Sequence, residues 1–269
     1  MRAATLIADQ RLDAALAARG LAKSRTTAAR LIAEGLVTVD GVGVVKASAR
    51  VEESQTLEVA TSDHYVSRAA HKLIGALDAF EVTANGVLAL DVGASTGGFT
   101  QVLLERGARR VIALDVGHGQ LHPLIRSDPR VATVEGFNAR YMTGSSLAAA
   151  SRESEIPTLV VGDLSFISLP TVLPALVDTV GTAGDFVMLV KPQFEVGRTG
   201  IKEGIVRSAP ARAEAVMAVL WAAWDLGLKT SGVIASPIVG TSGNHEYVAH
   251  LSSSGTNPGE WMDRVSEIA

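Results

Sequence analysis

From residue 87 onward the chain alternates short apolar runs with helical patterns, and no other feature restricts its fold as strongly. The runs are Val87 to Asp91, Arg110 to Asp115, Val131 to Val134, Thr158 to Asp163, Phe186 to Lys191, Gly232 to Ser236 and Tyr247 to Leu251. Strands that are apolar on both faces belong in a sheet covered by helices on each side. The alternation therefore predicts a doubly wound α/β fold with a seven-stranded, mainly parallel sheet. A helix is expected just before it, over Ser67 to Phe80, with Ala70, Leu73, Ile74, Leu77 and Phe80 along its apolar face.

The first 60 residues follow a different rule. Between Arg11 and Lys46, Leu12, Leu16, Leu21, Ala28, Leu31 and Ile32 recur at helical spacing. Val37, Val39 and Val42 then alternate around an Asp40-Gly41 turn, and another strand is expected at Thr56 to Val59. Ser24 is a good N-cap for the second helix. This is a small α+β module, and 269 residues at 47% apolar composition suffice for it and a full α/β domain. The expected division is a module over 1–60, a linker over 61–66 and the α/β domain over 67–269.

Charge separates the two parts. The chain carries a formal −4, yet residues 1–50 hold 8 Lys and Arg against 4 Asp and Glu, and the remainder 16 against 24. Arg11, Arg19, Lys23, Arg25, Arg30 and Lys46 are left to face water when the apolar positions fill the module's core. Singly they are ordinary solvated charges, but together they form a positive face of the kind that follows RNA phosphates. There is no cysteine, which excludes disulfides, thiolate metal sites and cysteine nucleophiles. Residues 1–10 lack a signal-peptide pattern and no window reaches the roughly 18 apolar residues of a membrane span, so a cytoplasmic protein without a membrane partner is expected. No metal site is expected either.

The strongest local signal is Asp91-Val92-Gly93-Ala94-Ser95-Thr96-Gly97-Gly98-Phe99-Thr100, directly after a buried strand and opening a helix. Glycines allow a tight turn and close approach of a ligand, and the helix start offers free N–H groups. The spacing is not G-x-G-x-x-G, which disfavours a nicotinamide or flavin dinucleotide. The D-x-G-x-x-x-G-G-F form instead resembles motif I of class I methyltransferases, which implies S-adenosylmethionine. Under that resemblance Asp115, ending the next strand, accepts hydrogen bonds from the cofactor's ribose. Asn138 is equally readable as an adenine-side contact or a turn residue.

Three strand ends carry ionisable groups where an apolar pattern has no use for them: Asp163 in VVGDLSF, Lys191 in MLVKPQF and Glu246 in GNHEY. Lys72 on the preceding helix is a fourth. These match the Lys-Asp-Lys-Glu tetrad of FtsJ-like RNA 2′-O-methyltransferases. The stretch RLDAALAARGLAKSRTTAARLIAEGLVTVDGVGVVK resembles an S4 RNA-binding domain. With SRAAHKL, DVGASTGGFT, DLSFISL, LVKPQFE and SGNHEY, the whole is similar to the TlyA family, also called haemolysin A. The resemblance implies a class I, Rossmann-like methyltransferase behind an S4 domain, acting on ribosomal RNA, and a monomer is expected. The expected reaction is cytidine 2′-O-methylation in small-subunit or large-subunit RNA.

The residue types suit that chemistry. A neutral hydroxyl attacks a sulfonium methyl poorly, so it must lose its proton or be stabilised as charge develops. Lys191 is the expected acceptor. Crowding by Lys72 and the cofactor's positive sulfur favours its neutral form, while Asp163 favours the charged form and fixes its position. Glu246 is expected to orient Lys72 or the ribose. Cytosine C5 methylation usually needs a cysteine, and exocyclic amino methylation an Asp or Asn-Pro-Pro-aromatic motif where Asp163-Leu164-Ser165-Phe166 stands. Two other functions compete: a membrane-acting haemolysin, and a non-catalytic RNA-binding assembly factor. Pro192 to Arg207 reads as a mobile loop. The family's Arg-x-Trp-Val linker element is replaced here by Asp63-His64-Tyr65-Val66.

Overall fold

A computed structural model describes residues 10–33, 35–59, 64–197, 204–240 and 243–269. It divides into two compact units: residues up to His64 with Ile238–Asn244, and Tyr65–Pro237 with His245–Ala269. The signal-peptide reading of residues 1–10 falls almost wholly outside the described residues, as do residues 61–63 of the 61–66 linker and the middle of the predicted 192–207 loop.

The first unit runs β1 (Gln10–Arg11), α1 (Leu12–Ala18), α2 (Arg25–Ala33), β2 (Val37–Val39), β3 (Val42–Gly43), β4 (Arg50–Val51) and β5 (Leu57–Val59). The predicted helices and the valine turn are present, and Ser24 Oγ accepts from Thr27 N–H at 3.1 Å as expected of an N-cap. Leu12, Leu16, Ala28, Ile32, Val37 and Val39 form one core. The two-residue strands β1 and β4, which pair antiparallel, had no periodicity to betray them.

The second unit begins with α3 (Ala69–Phe80), β6 (Leu88–Val92), α4 (Gly98–Glu105), β7 (Arg110–Leu114), α5 (Pro123–Arg126) and β8 (Val131–Val134). It continues through α6 (Gly144–Ser151), β9 (Leu159–Gly162), α7 (Leu169–Val180), β10 (Asp185–Val190), α8 (Pro192–Glu195), α9 (Ala209–Asp225), β11 (Lys229–Ala235), β12 (Tyr247–Ser252) and α10 (Met262–Ile268). The sheet order is β11-β12-β10-β9-β6-β7-β8. Only β12 runs against its neighbours. All seven predicted strands are there, shifted by a residue or a few at their ends.

Each central strand is apolar on both faces because each face has its own layer of helices. Leu88, Leu90 and Val92 pack toward α7 and α9, while Ala89, Val161 and Leu189 pack toward α3 and α4. A fully buried side chain such as Phe186, 0% exposed, is worth about 2–3 kcal/mol. The start of the predicted 192–207 loop is a helical turn, α8, since Pro192 fits the first turn of a helix and lacks only an N–H that would be unpaired there. Among the described residues no helix is long and apolar enough to cross a membrane.

From β6 the chain builds outward through β7 and β8, then returns to lay β9 on the other side of β6. Such a reversal opens a crevice at the carboxyl ends of the two strands, where open α/β sheets bind ligands.

Candidate active site

Gly93 and Asp163 leave β6 and β9 at that crevice. Gly93 has φ +84°, and an added Cβ would sit 3.1 Å from the Asp163 carbonyl oxygen, so the two loops meet backbone to backbone. A cavity of about 530 Å³ opens there, lined by Gly93, Ser95, Asp115, Asn138 and Asp163. Both carboxylate oxygens of Asp115 hold the loops: Oδ2 accepts from Ser95 N–H at 2.8 Å and Oδ1 from Gly117 N–H at 2.7 Å. Each oxygen keeps a second lone pair for a ligand. Asn138 lines the cavity, and its Oδ1 accepts from Arg140 N–H at 3.0 Å, as a turn residue does.

The rest of the glycine motif serves packing. Ala94 and Phe99 lie in hydrophobic clusters. A Cβ on Gly97 would come 2.9 Å from Leu121, and one on Gly98 2.9 Å from Ser67 Cβ. Neither they nor Thr96 line the cavity. Asp91 is 0% exposed and accepts from Thr100 Oγ1 at 2.6 Å. Burial pushes its carboxyl up to about 7, against the Thr100 hydrogen bond and with the help of the Asp163 and Asp115 charges.

At the cavity's edge the four predicted charged groups come together. Asp163 and Lys191 follow the parallel neighbours β9 and β10; Glu246 precedes β12, whose reversed direction brings its start to the same edge. Lys72 reaches them from α3. Its Nζ donates to Glu246 Oε2 at 2.6 Å and lies 3.7 Å from Asp163 Oδ2. Lys191 Nζ forms an ion pair with Asp163 Oδ1 at 2.6 Å and donates to Ser165 Oγ at 2.7 Å. Lys72, Lys191 and Glu246 are 5%, 7% and 5% exposed. Burial opposes ionisation of Asp163, yet Lys72 and Lys191 outweigh it and hold the carboxyl below its usual range. Four buried charges are a poor device for stability, because desolvation offsets most of their attraction; such clusters are characteristic of functional sites.

The sequence reading missed Ser165 and Phe166, which line the same cavity. Phe166 is 92% exposed with φ +64°, rare for a bulky residue, and its ring lies 5.2 Å from that of Phe194. An aromatic directly after an acidic strand exit was the one available signal. Among the described residues no cluster of His, Cys, Asp and Glu suits a metal ion.

In the first unit all six predicted RNA-facing cations are exposed. They are not equally free. Arg11 and Arg25 both pair with buried Asp13, at 3.0 and 3.1 Å. Arg19 donates to the carbonyls of Glu52, Glu53 and Gln55. Arg30 also has a partner, whereas Lys23 and Lys46 make no ion pair among the described residues.

Comparison with known proteins gives two family matches, an FtsJ-like methyltransferase over residues 65–253 and an S4 domain over 10–57. The chain is 50% identical over 244 residues to the 16S/23S rRNA (cytidine-2′-O)-methyltransferase TlyA of Mycobacterium tuberculosis, covering 90% of this chain and 89% of that one. It is 38% identical over 242 residues to Hemolysin A of Brachyspira hyodysenteriae, covering 90% and 99%. A solved structure from Streptococcus thermophilus that bears a hemolysin name superposes with a TM-score of 0.74 at 36% identity, over 97% of this chain and 94% of that one.

Proposed function

We propose, from the premise that this chain belongs to the TlyA family of S4-bearing FtsJ-like methyltransferases, that it methylates the ribose 2′-hydroxyl of a cytidine in ribosomal RNA. The observation that carries the reading is the Lys72, Asp163, Lys191 and Glu246 cluster at the edge of the cavity. The substrate follows the names of the relatives, which cover both 16S and 23S RNA. Ribosomal subunits in the cytoplasm are then the partners, met by a monomer.

S-adenosylmethionine suits the donors around the cavity. Asp115 would offer lone pairs to the ribose hydroxyls, and Asn138, which lines the same cavity, would offer polar atoms to the adenine. When bound, it supplies a methyl group on a positively charged sulfur.

The chain's own residues do the remainder. Lys191, once it has shed its own proton, would accept the 2′-proton as the hydroxyl is methylated. Asp163 and Ser165 hold the Lys191 Nζ in place, and Glu246 holds Lys72, whose charge stabilises the developing oxyanion. Because the displacement is a single in-line step, positioning accounts for much of the rate. Phe166 gives the target base an exposed ring to stack on, an interaction worth about 1–3 kcal/mol. The basic face of the first unit, with Lys23, Arg25, Arg30 and Lys46, follows RNA phosphates.

The test is tritiated methyl transfer from S-adenosylmethionine to purified ribosomal subunits, with nuclease digestion and mass mapping. A 2′-O-methylcytidine product is expected, and Lys191→Ala should lower the rate by about 10²–10⁴-fold with cofactor binding retained. No incorporation into either subunit, or a methylated base, would overturn the reading. Lysis of liposomes that survives Lys191→Ala and Asp163→Ala would instead favour the activity implied by the hemolysin names.

A further inference from the structure

The chemistry proposed above depends on two loops that the sheet does not hold together. The ladder between β9 and β10 ends at Gly162 and Met188, and Asp163 and Lys191 stand beyond it. Loop to loop, the described residues show four cross-connections. Two involve the charged groups themselves, Lys191 to Asp163 and Lys191 to Ser165. A third is the Phe194 and Phe166 ring contact.

The fourth lies furthest from the chemistry and is made by Glu195, the last residue of α8. Its Oε2 accepts from Ser168 Oγ–H at 2.6 Å and its Oε1 from Leu169 N–H at 2.9 Å. Ser168 occupies the N-cap position of α7 yet makes no capping hydrogen bond with its own side chain. Helix starts leave N–H groups unsatisfied and favour negative charge, so a carboxylate from another loop is an effective substitute cap. Here the substitute comes from four residues beyond Lys191 and grips a helix that begins six residues beyond Asp163. Burial raises the Glu195 carboxyl above its usual range despite the two hydrogen bonds, as expected of a group withdrawn from water to reach this contact.

We propose that Glu195 is a positioning residue for methyl transfer: by capping α7 from the Lys191 loop, it clasps the two strand exits and holds Lys191 against Asp163 and Ser165. This rests on the function proposed above. Glu195 touches no reacting atom. Its effect is geometric, and reacting groups displaced by about 1 Å lose on the order of 10²-fold in rate.

Glu195→Ala and Glu195→Gln separate this from a merely structural contribution. The glutamine oxygen can still accept from Leu169 N–H, and its amide can donate to Ser168 Oγ. Below the melting temperature of each variant, Glu195→Ala should lower kcat by roughly 10- to 100-fold, with the cofactor Kd from calorimetry changed less than about threefold. Glu195→Gln should stay within about threefold of wild type. Hydrogen exchange at Leu169 N–H should accelerate in Glu195→Ala and remain slow in Glu195→Gln.

A kcat for Glu195→Ala within about twofold of wild type would overturn the proposal. So would a Glu195→Gln variant as impaired as Glu195→Ala, or unchanged exchange at Leu169. If Glu195→Ala does not fold, Ser168→Ala removes only the shorter bond and decides the matter: a severalfold lower kcat supports the clasp, and an unchanged kcat overturns it. Should wild type itself transfer no methyl to ribosomal subunits, the proposed function fails, and hydrogen exchange alone judges the clasp.

Discussion

Replacing Asp91 by Asn should make the methyltransferase unit progressively more stable than wild type as pH rises. The side chain is 0% exposed, and burial lifts its carboxyl from 3.8 to about 7. The folded state therefore holds this proton more tightly than the unfolded chain. Stabilisation by the proton is complete below about 3.8 and is lost as pH climbs to about 7, an interval worth about 4 kcal/mol. Asn keeps the shape and the acceptor for Thr100 Oγ1–H but has no proton to lose. Whatever constant offset the amide introduces, the variant should gain about 2.5 kcal/mol on wild type between pH 5 and pH 8. Urea denaturation in cofactor-free buffer measures this, because a ligand bound only to the folded state would add its own stabilisation. Trp221, Trp224 and Trp261 are the chain's three tryptophans and all lie in the second unit, so their fluorescence reports that unit alone. A difference flat in pH to within about 0.5 kcal/mol, or one that shrinks as pH rises, would refute the reasoning.

Two further substitutions test packing and the basic face. Gly98→Ala places a Cβ 2.9 Å from Ser67 Cβ and 3.2 Å from Ala70 N, so it should cost about 1–3 kcal/mol and lower Tm by several degrees. Gly144→Ala, at the first position of α6 with nothing nearer than 3.9 Å, is the calorimetric control and should be neutral or mildly stabilising. Asp13 is held at about 2, chiefly by its Arg11 hydrogen bonds, so its stabilisation is present above about 4 and lost as pH falls toward 2. Asp13→Asn in the full chain should cost about 1–2 kcal/mol at pH 7 and little at pH 2, read by hydrogen exchange of the α1 and α2 amides.

What was legible in the sequence was whatever interrupts a pattern. Asp163, Lys191 and Glu246 stood out because each ends or begins a run that is otherwise apolar, and the strand periodicity located them at sheet edges. That Glu246 shares an edge with the other two depends on β12 running backwards, which periodicity does not encode. Composition is equally blind to pairing. The excess of basic residues at the front was countable, but the burial of Asp13 between Arg11 and Arg25, and the three carbonyls that occupy Arg19, were not.

The glycine motif shows most sharply why a pattern and a site differ. Glycine is required wherever backbone must come close to something, and the sequence does not say to what. Gly93 approaches the Asp163 backbone and lines the cavity, whereas Gly98, five residues on, approaches α3. Both permit a close approach, but of different partners: one lets two strand exits meet at the cavity wall, the other lets two helices pack. The same division runs through the acids. Asp115 spends one lone pair of each oxygen on backbone N–H groups and keeps the others for the cavity, while Asp91, the fourth residue of β6, is sealed beneath it and holds its proton until pH approaches about 7. A site of this kind is built on a second tier of residues that face away from the ligand. Glu195 belongs to that tier: it interrupts no strand, heads no motif, and gains its importance only when two loops from adjacent strands fold side by side.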